Sequence, residues 1–224
     1  MPLTIKWMSK FSWFIIKSNG KTIHIDPGYS GYFSNQGIQE NELEKADIVL
    51  VTHFHKDHLQ PFILSKIRNT NTIVLSPECC LERIGGDVKV IKSGEKVSLG
   101  NINVTVVDAY NTENGNSTRK IHHKGEGVGF IIEVDGKTLY HSGDTDLIPE
   151  MRNFGKIDIA LIPIGGKFTM DIDEAIKSIM LIKPKVVIPM HYLNADPEDF
   201  KKKTESKIDC NVIILKKGES HILM

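Results

Sequence analysis

The sequence predicts an α/β fold of two similar half-units, sheet against sheet with helices outside, and three observations carry that expectation. Short β-type runs are joined by tight turns at Asn19-Gly20, Gly100-Asn101 and Asp135-Gly136, whose residues take positive φ readily and match the twist of the flanking strands. Largely apolar, β-branched runs occur at 46–51 (ADIVLV), 157–164 (IDIALIPI) and 185–190 (KVVIPM); each is too short for a helix and reads as a strand buried on both faces. The third observation is an internal echo. FIIKSNGKT at 14–22 resembles FIIEVDGKT at 130–138, and ADIVLV resembles IDIALI about 110 residues later in the same order, as two related half-units would require. No linker separates them, so one domain over 1–224 is expected.

In chain order, the first hairpin runs FSWFIIKS to KTIHID, and the buried strand ADIVLV follows. Helix candidates come next at QPFILSKIRN after residue 60 and at PECCLERI from Pro77. Two more hairpins join EKVSL to INVTVVDA and GFIIEV to KTLYHS, and IDIALI follows them. The clearest helix is DIDEAIKSIMLIKP: Asp171 caps it, Glu174 completes a capping box, and Ile172, Ala175, Ile176, Ile179 and Met180 share a face before Pro184 ends it. After KVVIPM, Asp196 precedes a proline suited to the first helical position of DPEDFKKKTES, and a final strand candidate carries His221.

Composition narrows the function classes. The 224 residues hold 28 Lys plus Arg against 28 Asp plus Glu, a formal net charge of +0, which argues against binding nucleic acid mainly through phosphate neutralisation and favours a small-molecule partner. Cys79, Cys80 and Cys210 are the three cysteines; two are adjacent, a poor disulfide geometry, so a reducing, cytoplasmic setting is expected. Lys6, Lys10 and Ser12 interrupt the apolar N-terminal stretch, so neither a signal peptide nor a membrane span is expected. Homo-oligomerisation is left open.

The strongest chemical signal follows the first buried strand: Thr52-His53-Phe54-His55-Lys56-Asp57-His58. Four metal-capable side chains within six residues, just beyond an apolar strand, are costly to desolvate unless something binds them, and imidazole with carboxylate suits zinc, iron or manganese. His53 and His55 can turn toward one ion, Asp57 and His58 toward a second.

This His-x-His-x-Asp-His run at a strand end resembles the signature of the metallo-β-lactamase superfamily. YHSGDT with Asp144 and IPMHY with His191 follow in the family's order. IDPG at 25–28, LIPIGGKFTMD at 161–171 and VIPMHY at 187–192 are similar to the compact branch of metal-dependent hydrolases akin to L-ascorbate 6-phosphate lactonases. The resemblance implies a four-layer αβ/βα sandwich with two β-sheets, helices on the outer faces and pseudo-two-fold halves. It also implies His53 and His55 on a first metal, Asp57, His58 and His191 on a second, and Asp144 bridging both. Asp57 would be the catalytic carboxylate that orients the attacking water, whose pKa a metal lowers from about 15.7 toward about 7.

One ligand departs from the family pattern. Where the superfamily supplies a third histidine to the first metal, this chain has Asn111, a weaker and harder donor. Three outcomes stay open: a loose first site, an empty one, or one completed by His122 or His123 from RKIHHKGEG. Asp26 is expected to support a metal ligand by a hydrogen bond, and His24 and His221 to be structural or peripheral; His141 is either a supporting residue or simply packed.

Lys167, His122 and His123, with Arg119, Lys120 and Lys124 nearby in sequence, are the candidate substrate contacts and suggest an anionic substrate. The expected activity is metal-dependent hydrolysis of a small anionic ester, lactone or phosphodiester. The rivals are a metal-dependent oxidoreductase, a nuclease of the same superfamily, and a degenerate metal-binding module without catalysis.

Overall fold

The computed structural model describes residues 2–29 and 43–223. Its elements run β1 Leu3–Trp7, β2 Phe14–Ser18, β3 Lys21–Ile25, β4 Ile48–Leu50, α1 Pro61–Ile67, β5 Ile73–Ser76, α2 Leu81–Ile84 and β6 Lys89–Val90. There follow β7 Lys96–Leu99, β8 Ile102–Ala109, β9 Gly127–Val134, β10 Lys137–His141, β11 Ile159–Pro163, α3 Ile172–Ile182, β12 Val186–Met190, α4 Pro197–Glu205, β13 Asn211–Val212 and β14 Ser220–Leu223. The chain divides into two compact units, one reaching to Ile91 and resuming at Leu215, the other spanning Lys92–Ile214.

Each unit holds one seven-stranded sheet, and the two sheets share one plan. The first is ordered β14-β1-β2-β3-β4-β5-β6 and the second, read from its other edge, β7-β8-β9-β10-β11-β12-β13. In both, three antiparallel pairings are followed by three parallel ones. The echoed segments occupy equivalent places, FIIKSNGKT as β2 and β3 and FIIEVDGKT as β9 and β10. Their turns, Asn19-Gly20 (φ 49° and 74°) and Asp135-Gly136 (φ 51° and 71°), have the double positive φ of a type I′ hairpin. At Gly100-Asn101 only the glycine is positive (φ 69°), as in type II′.

The echo extends to a polar staple that side-chain patterning did not suggest. Thr22 N donates to Asp47 Oδ2 (2.9 Å) while Asp47 N donates to Thr22 O (2.9 Å). In the second unit Thr138 N donates to Asp158 Oδ2 (3.0 Å) and Asp158 N to Thr138 O (2.9 Å). Burial pushes both carboxyl groups up, but hydrogen bonds from Lys21 and Thr22 hold Asp47 below its ordinary range. The Thr138 N–H with the charges of Lys156 and Lys185 does the same for Asp158.

Helix α3 starts where its cap was expected, with Asp171 accepting from Glu174 N (2.8 Å), a contact worth about 1 kcal/mol. Its buried face is Ala175, Ile176, Ile179 and Ile182 rather than one including Met180, which is 52% exposed. These side chains pack on Ala160, Ile162 and Val187, each large one contributing about 1.5–3 kcal/mol. In the first unit Ile63, Leu64 and Ile67 of α1 pack with Ile15, Val49 and Val74. Among the described residues no helix is long and apolar enough to cross a membrane.

Candidate metal centre

In the first unit β4 delivers the chain into the histidine loop, and the loop closes on itself as His58 N and Leu59 N both donate to His55 O (3.0 and 2.8 Å). Asp26, fully buried just past β3 and in the left-handed region (φ 51°), accepts three hydrogen bonds. Oδ1 takes the Thr52 N–H (2.7 Å), and Oδ2 takes Thr52 Oγ1 (2.7 Å) and His58 Nδ1 (2.7 Å). His58 therefore carries its proton on Nδ1 and presents Nε2 as an electron-pair donor. Thr52, its hydroxyl proton given to Asp26, accepts from His53 Nδ1 at 3.0 Å, so His53 also presents Nε2. That nitrogen lies 3.0 Å from His55 Nδ1, a contact that needs a proton or a cation between the two. Asp57 Oδ2 stands 3.9 Å from His58 Nε2, and its side chain is 23% exposed where that of His58 is 0%; of these ligand candidates it is well placed to meet water.

Gly28 makes this packing possible by size alone. A Cβ there would lie 2.5 Å from the backbone N and C of His58, with no positive φ involved, so Gly28→Ala must displace the histidine loop. The expected result is a loss of about 1–3 kcal/mol of stability together with weaker zinc binding, read from thermal unfolding with and without zinc.

In the second unit Asp144 follows β10 and His191 follows β12. Asp144 Oδ2 lies 3.3 Å from His191 Nε2 and 3.5 Å from His122 Nε2, and all three residues are buried. His191 sits in the left-handed region (φ 50°), a conformation that costs a non-glycine residue about 1–2 kcal/mol and persists where the surroundings impose it. Gly165 permits it, since a Cβ there would come within 2.5 Å of His191 O.

Asn111 does not face this group with a spare oxygen. Its Oδ1 accepts from the N–H groups of Ile121 (3.1 Å) and His122 (3.0 Å), and its Nδ2 donates to Phe168 O (2.9 Å) and Asp146 Oδ1 (3.2 Å). The carboxamide is committed to holding a loop, which counts against its reading as a weak ligand. His122 is turned inward by that loop, whereas His123 is exposed.

Of the cations near the expected rim, Lys120 is tied to Asp146 (3.0 Å) and Lys124 to Glu150 (2.5 Å). Lys167 is exposed and lies over the Phe168 ring (5.0 Å), while its carbonyl accepts from Arg119 N (2.7 Å). His24 accepts from Trp13 Nε1 (3.2 Å), and burial pushes it down to about 3, so it is a neutral packing residue. His141 Nδ1 accepts from Gly143 N (3.2 Å), at the start of the turn that carries Asp144. His221 pairs opposite Ile5 in the first sheet and is in none of the candidate donor groups among the described residues.

The donors fit a divalent ion. Nitrogen and oxygen ligands about 2.0–2.2 Å from one tetrahedral ion stand about 3.3–3.6 Å apart. The 3.3 and 3.5 Å separations around Asp144 match that spacing and are longer than the usual N–H···O bond of about 2.7–3.2 Å. Thr52 and Asp146 are the supporting residues that the sequence reading missed. Thr52 had a visible signal, a polar side chain closing a wholly apolar strand.

A model of the β-lactamase superfamily domain matches residues 4–191. A UPF0173 metal-dependent hydrolase of Archaeoglobus fulgidus is 37% identical over 235 residues, covering 98% of each chain. A Parabacteroides distasonis crystal structure superposes with a TM-score of 0.85 at 29% identity, covering 97% of this chain and 94% of that one. The metallo hydrolase Igni18 of Ignicoccus hospitalis gives 0.81 at 28% identity, covering 100% and 99%. Two mixed sheets with few helices are thus the metallo-β-lactamase fold class, and the chain belongs to the β-lactamase superfamily, among its UPF0173 metal-dependent hydrolases.

Proposed function

We propose that the whole chain, 1–224, works as one domain that hydrolyses a small anionic ester, lactone or phosphodiester. Its ligands are His53, His55, Asp57, His58, Asp144 and His191, holding one or two divalent ions, zinc first and manganese or iron next. The observation that carries this reading is the fixing of tautomers: Asp26 and Thr52 tie back the Nδ1 protons of His58 and His53, leaving ring nitrogens prepared as ligands rather than as hydrogen-bond donors. When bound, such an ion supplies a Lewis acid and a water acidified into the neutral range.

The chain's own residues do the rest. Asp57, the more exposed carboxylate beside His58, orients the attacking water and accepts its proton, then returns a proton to the leaving group. Lys167 supplies the cation for the substrate's negative charge, since Lys120 and Lys124 are already paired, and exposed His123 adds a polar contact at the rim. A phosphorylated lactone, the substrate type of the lactonase branch the sequence resembles, falls within this class.

Metal analysis of protein purified without chelators, joined to a panel of activated esters, lactones and phosphodiesters, tests the proposal. The expected result is bound divalent metal and turnover that chelation abolishes and zinc restores. Turnover unaffected by metal removal, or no turnover across the panel by metal-replete protein, would overturn it, the second outcome favouring a binding module.

A further inference from the structure

Within the first unit the chain carries a second group of metal-capable side chains, which the hydrolase reading leaves unused. Strand β5 ends at Ser76 and pairs in parallel with β4, so the segment that follows it leaves the sheet at the same end as the histidine loop. That segment is a one-turn 3₁₀ helix, Glu78–Cys80, running directly into α2. Pro77 sets its start, with its carbonyl accepting from Cys80 N (3.1 Å). The turn holds the sulfurs of Cys79 and Cys80 only 3.9 Å apart. Cys79 is exposed, whereas Cys80 is fully buried and packs with Val51, Leu59, Ile63 and Leu64. One thiol is therefore anchored in the core while its neighbour reaches solvent.

Geometry separates two uses of such a pair. A disulfide needs Cα atoms about 4.4–6.8 Å apart, but no peptide bond among the described residues is cis, and neighbours across a trans peptide stand only about 3.8 Å apart. Closing an S–S bond of about 2.05 Å would also drag Cys80 out of its packing. A shared ion asks for no such movement. Two thiolates about 2.3 Å from one tetrahedral ion stand about 3.8 Å from each other, close to the observed 3.9 Å. Thiolate ligands select soft ions, and two of them fall short of the four protein ligands that close a structural zinc site. The Cys79 thiol and then burial push the Cys80 thiol up, which leaves Cys80 a poor nucleophile by itself. An ion that takes both sulfurs together displaces both protons.

We propose that Cys79 and Cys80 form a two-sulfur chelate for a soft, thiophilic divalent cation, separate from the histidine centre. Binding exchanges two S–H bonds for two sulfur–metal bonds and releases two protons, with no change of oxidation state. The site does not rest on the hydrolase reading, because its ligands stand on another turn and differ in chemistry from imidazole and carboxylate.

Cadmium is the probe. Reduced wild-type protein titrated with cadmium should develop the ultraviolet sulfur-to-cadmium charge-transfer absorption, which nitrogen and oxygen ligands do not give. Cys79→Ser, at an exposed position, should weaken that site by about 10²–10⁴-fold, the cost of turning a chelate into a single ligand. Cys210→Ser and His53→Ala should leave the absorption in place. No sulfur absorption in the wild type, or undiminished cadmium affinity at the sulfur site in Cys79→Ser, would overturn the inference. So would loss of the absorption in Cys210→Ser or in His53→Ala, the first placing the sulfur ligand elsewhere and the second making the site part of the histidine centre. Turnover and its metal dependence test the hydrolase reading separately, and neither depends on the outcome here.

Discussion

Asp57→Ala, assayed at saturating zinc, is expected to lower kcat by roughly 10²–10⁴-fold, the range for loss of a positioned general base. The carboxylate sits beside His58 Nε2 with about a quarter of its surface open (23%), so under the proposed mechanism it would contact the ion and still reach water. Its loss removes an interaction that strengthens as the transition state forms, which lowers kcat rather than merely raising KM. Lys167→Ala provides the contrast: a surface ammonium resting on Phe168 contributes to binding, so KM should rise roughly tenfold, about 1.4 kcal/mol, with kcat little changed. Steady-state kinetics on the best substrate of the panel separates the two. Near-native kcat in Asp57→Ala with metal still bound would remove this residue from the mechanism.

The second large effect is expected at Asp26, which touches no substrate. Asp26→Ala strips the acceptor from three buried donors, Thr52 N, Thr52 Oγ1 and His58 Nδ1, each costing about 1–3 kcal/mol when left unpaired. Alanine also tolerates the left-handed backbone at this position less well than aspartate does. Metal-free protein should therefore be strongly destabilised or fail to fold. Asp26→Asn is the finer probe: it keeps the shape but turns an amide N–H₂ toward one of those donors, releasing the His58 tautomer. Zinc affinity should fall by about 10–100-fold with a near-native fold, measured by chelator competition and circular dichroism. Asp26→Asn binding zinc as tightly as wild type would mean that the hydrogen bond to His58 does not prepare the ligand.

What could be read from the sequence was local. Turn chemistry at Asn19-Gly20 and Asp135-Gly136, the Asp171 cap and the apolar run of β4 all act over a few residues, so their patterns survive in one dimension. The His53 to His58 cluster was legible for the same reason, four donors standing in one short run. Asp144 and His191 were assigned by resemblance alone. Which of the open alternatives at Asn111 and His122 holds was not legible, because the hydrogen bonds of Asn111 run to Asp146 and Phe168, 35 and 57 residues away. Position 111 looked like a poor ligand; in the fold it is a clamp whose partners lie on other loops. Met180 failed differently, since helical spacing identifies a stripe of apolar residues but not which edge of the stripe meets the sheet.

The repeated Asp–Thr staple has a consequence for alignment. Hairpin pairs are indexed by their turns, but a parallel pair has no turn to index it, and β3 and β4 share only three partner positions, Ile23 with Ile48, His24 with Val49 and Ile25 with Leu50. Shifting β4 by one residue would move it about 3.3 Å along its neighbour and present every side chain to the opposite face. Thr52 and His53, just past the strand, would then lose their alignment with Asp26, which follows β3 and accepts from Thr52 N and Oγ1. Asp47, at the far end of β4, bonds Thr22 through both backbone and side chain and admits only one alignment. A carboxylate remote from the histidines thus acts as the index mark that decides whether the ligand loop arrives in phase, and Asp158 does the same for the three-position pairing of β10 with β11.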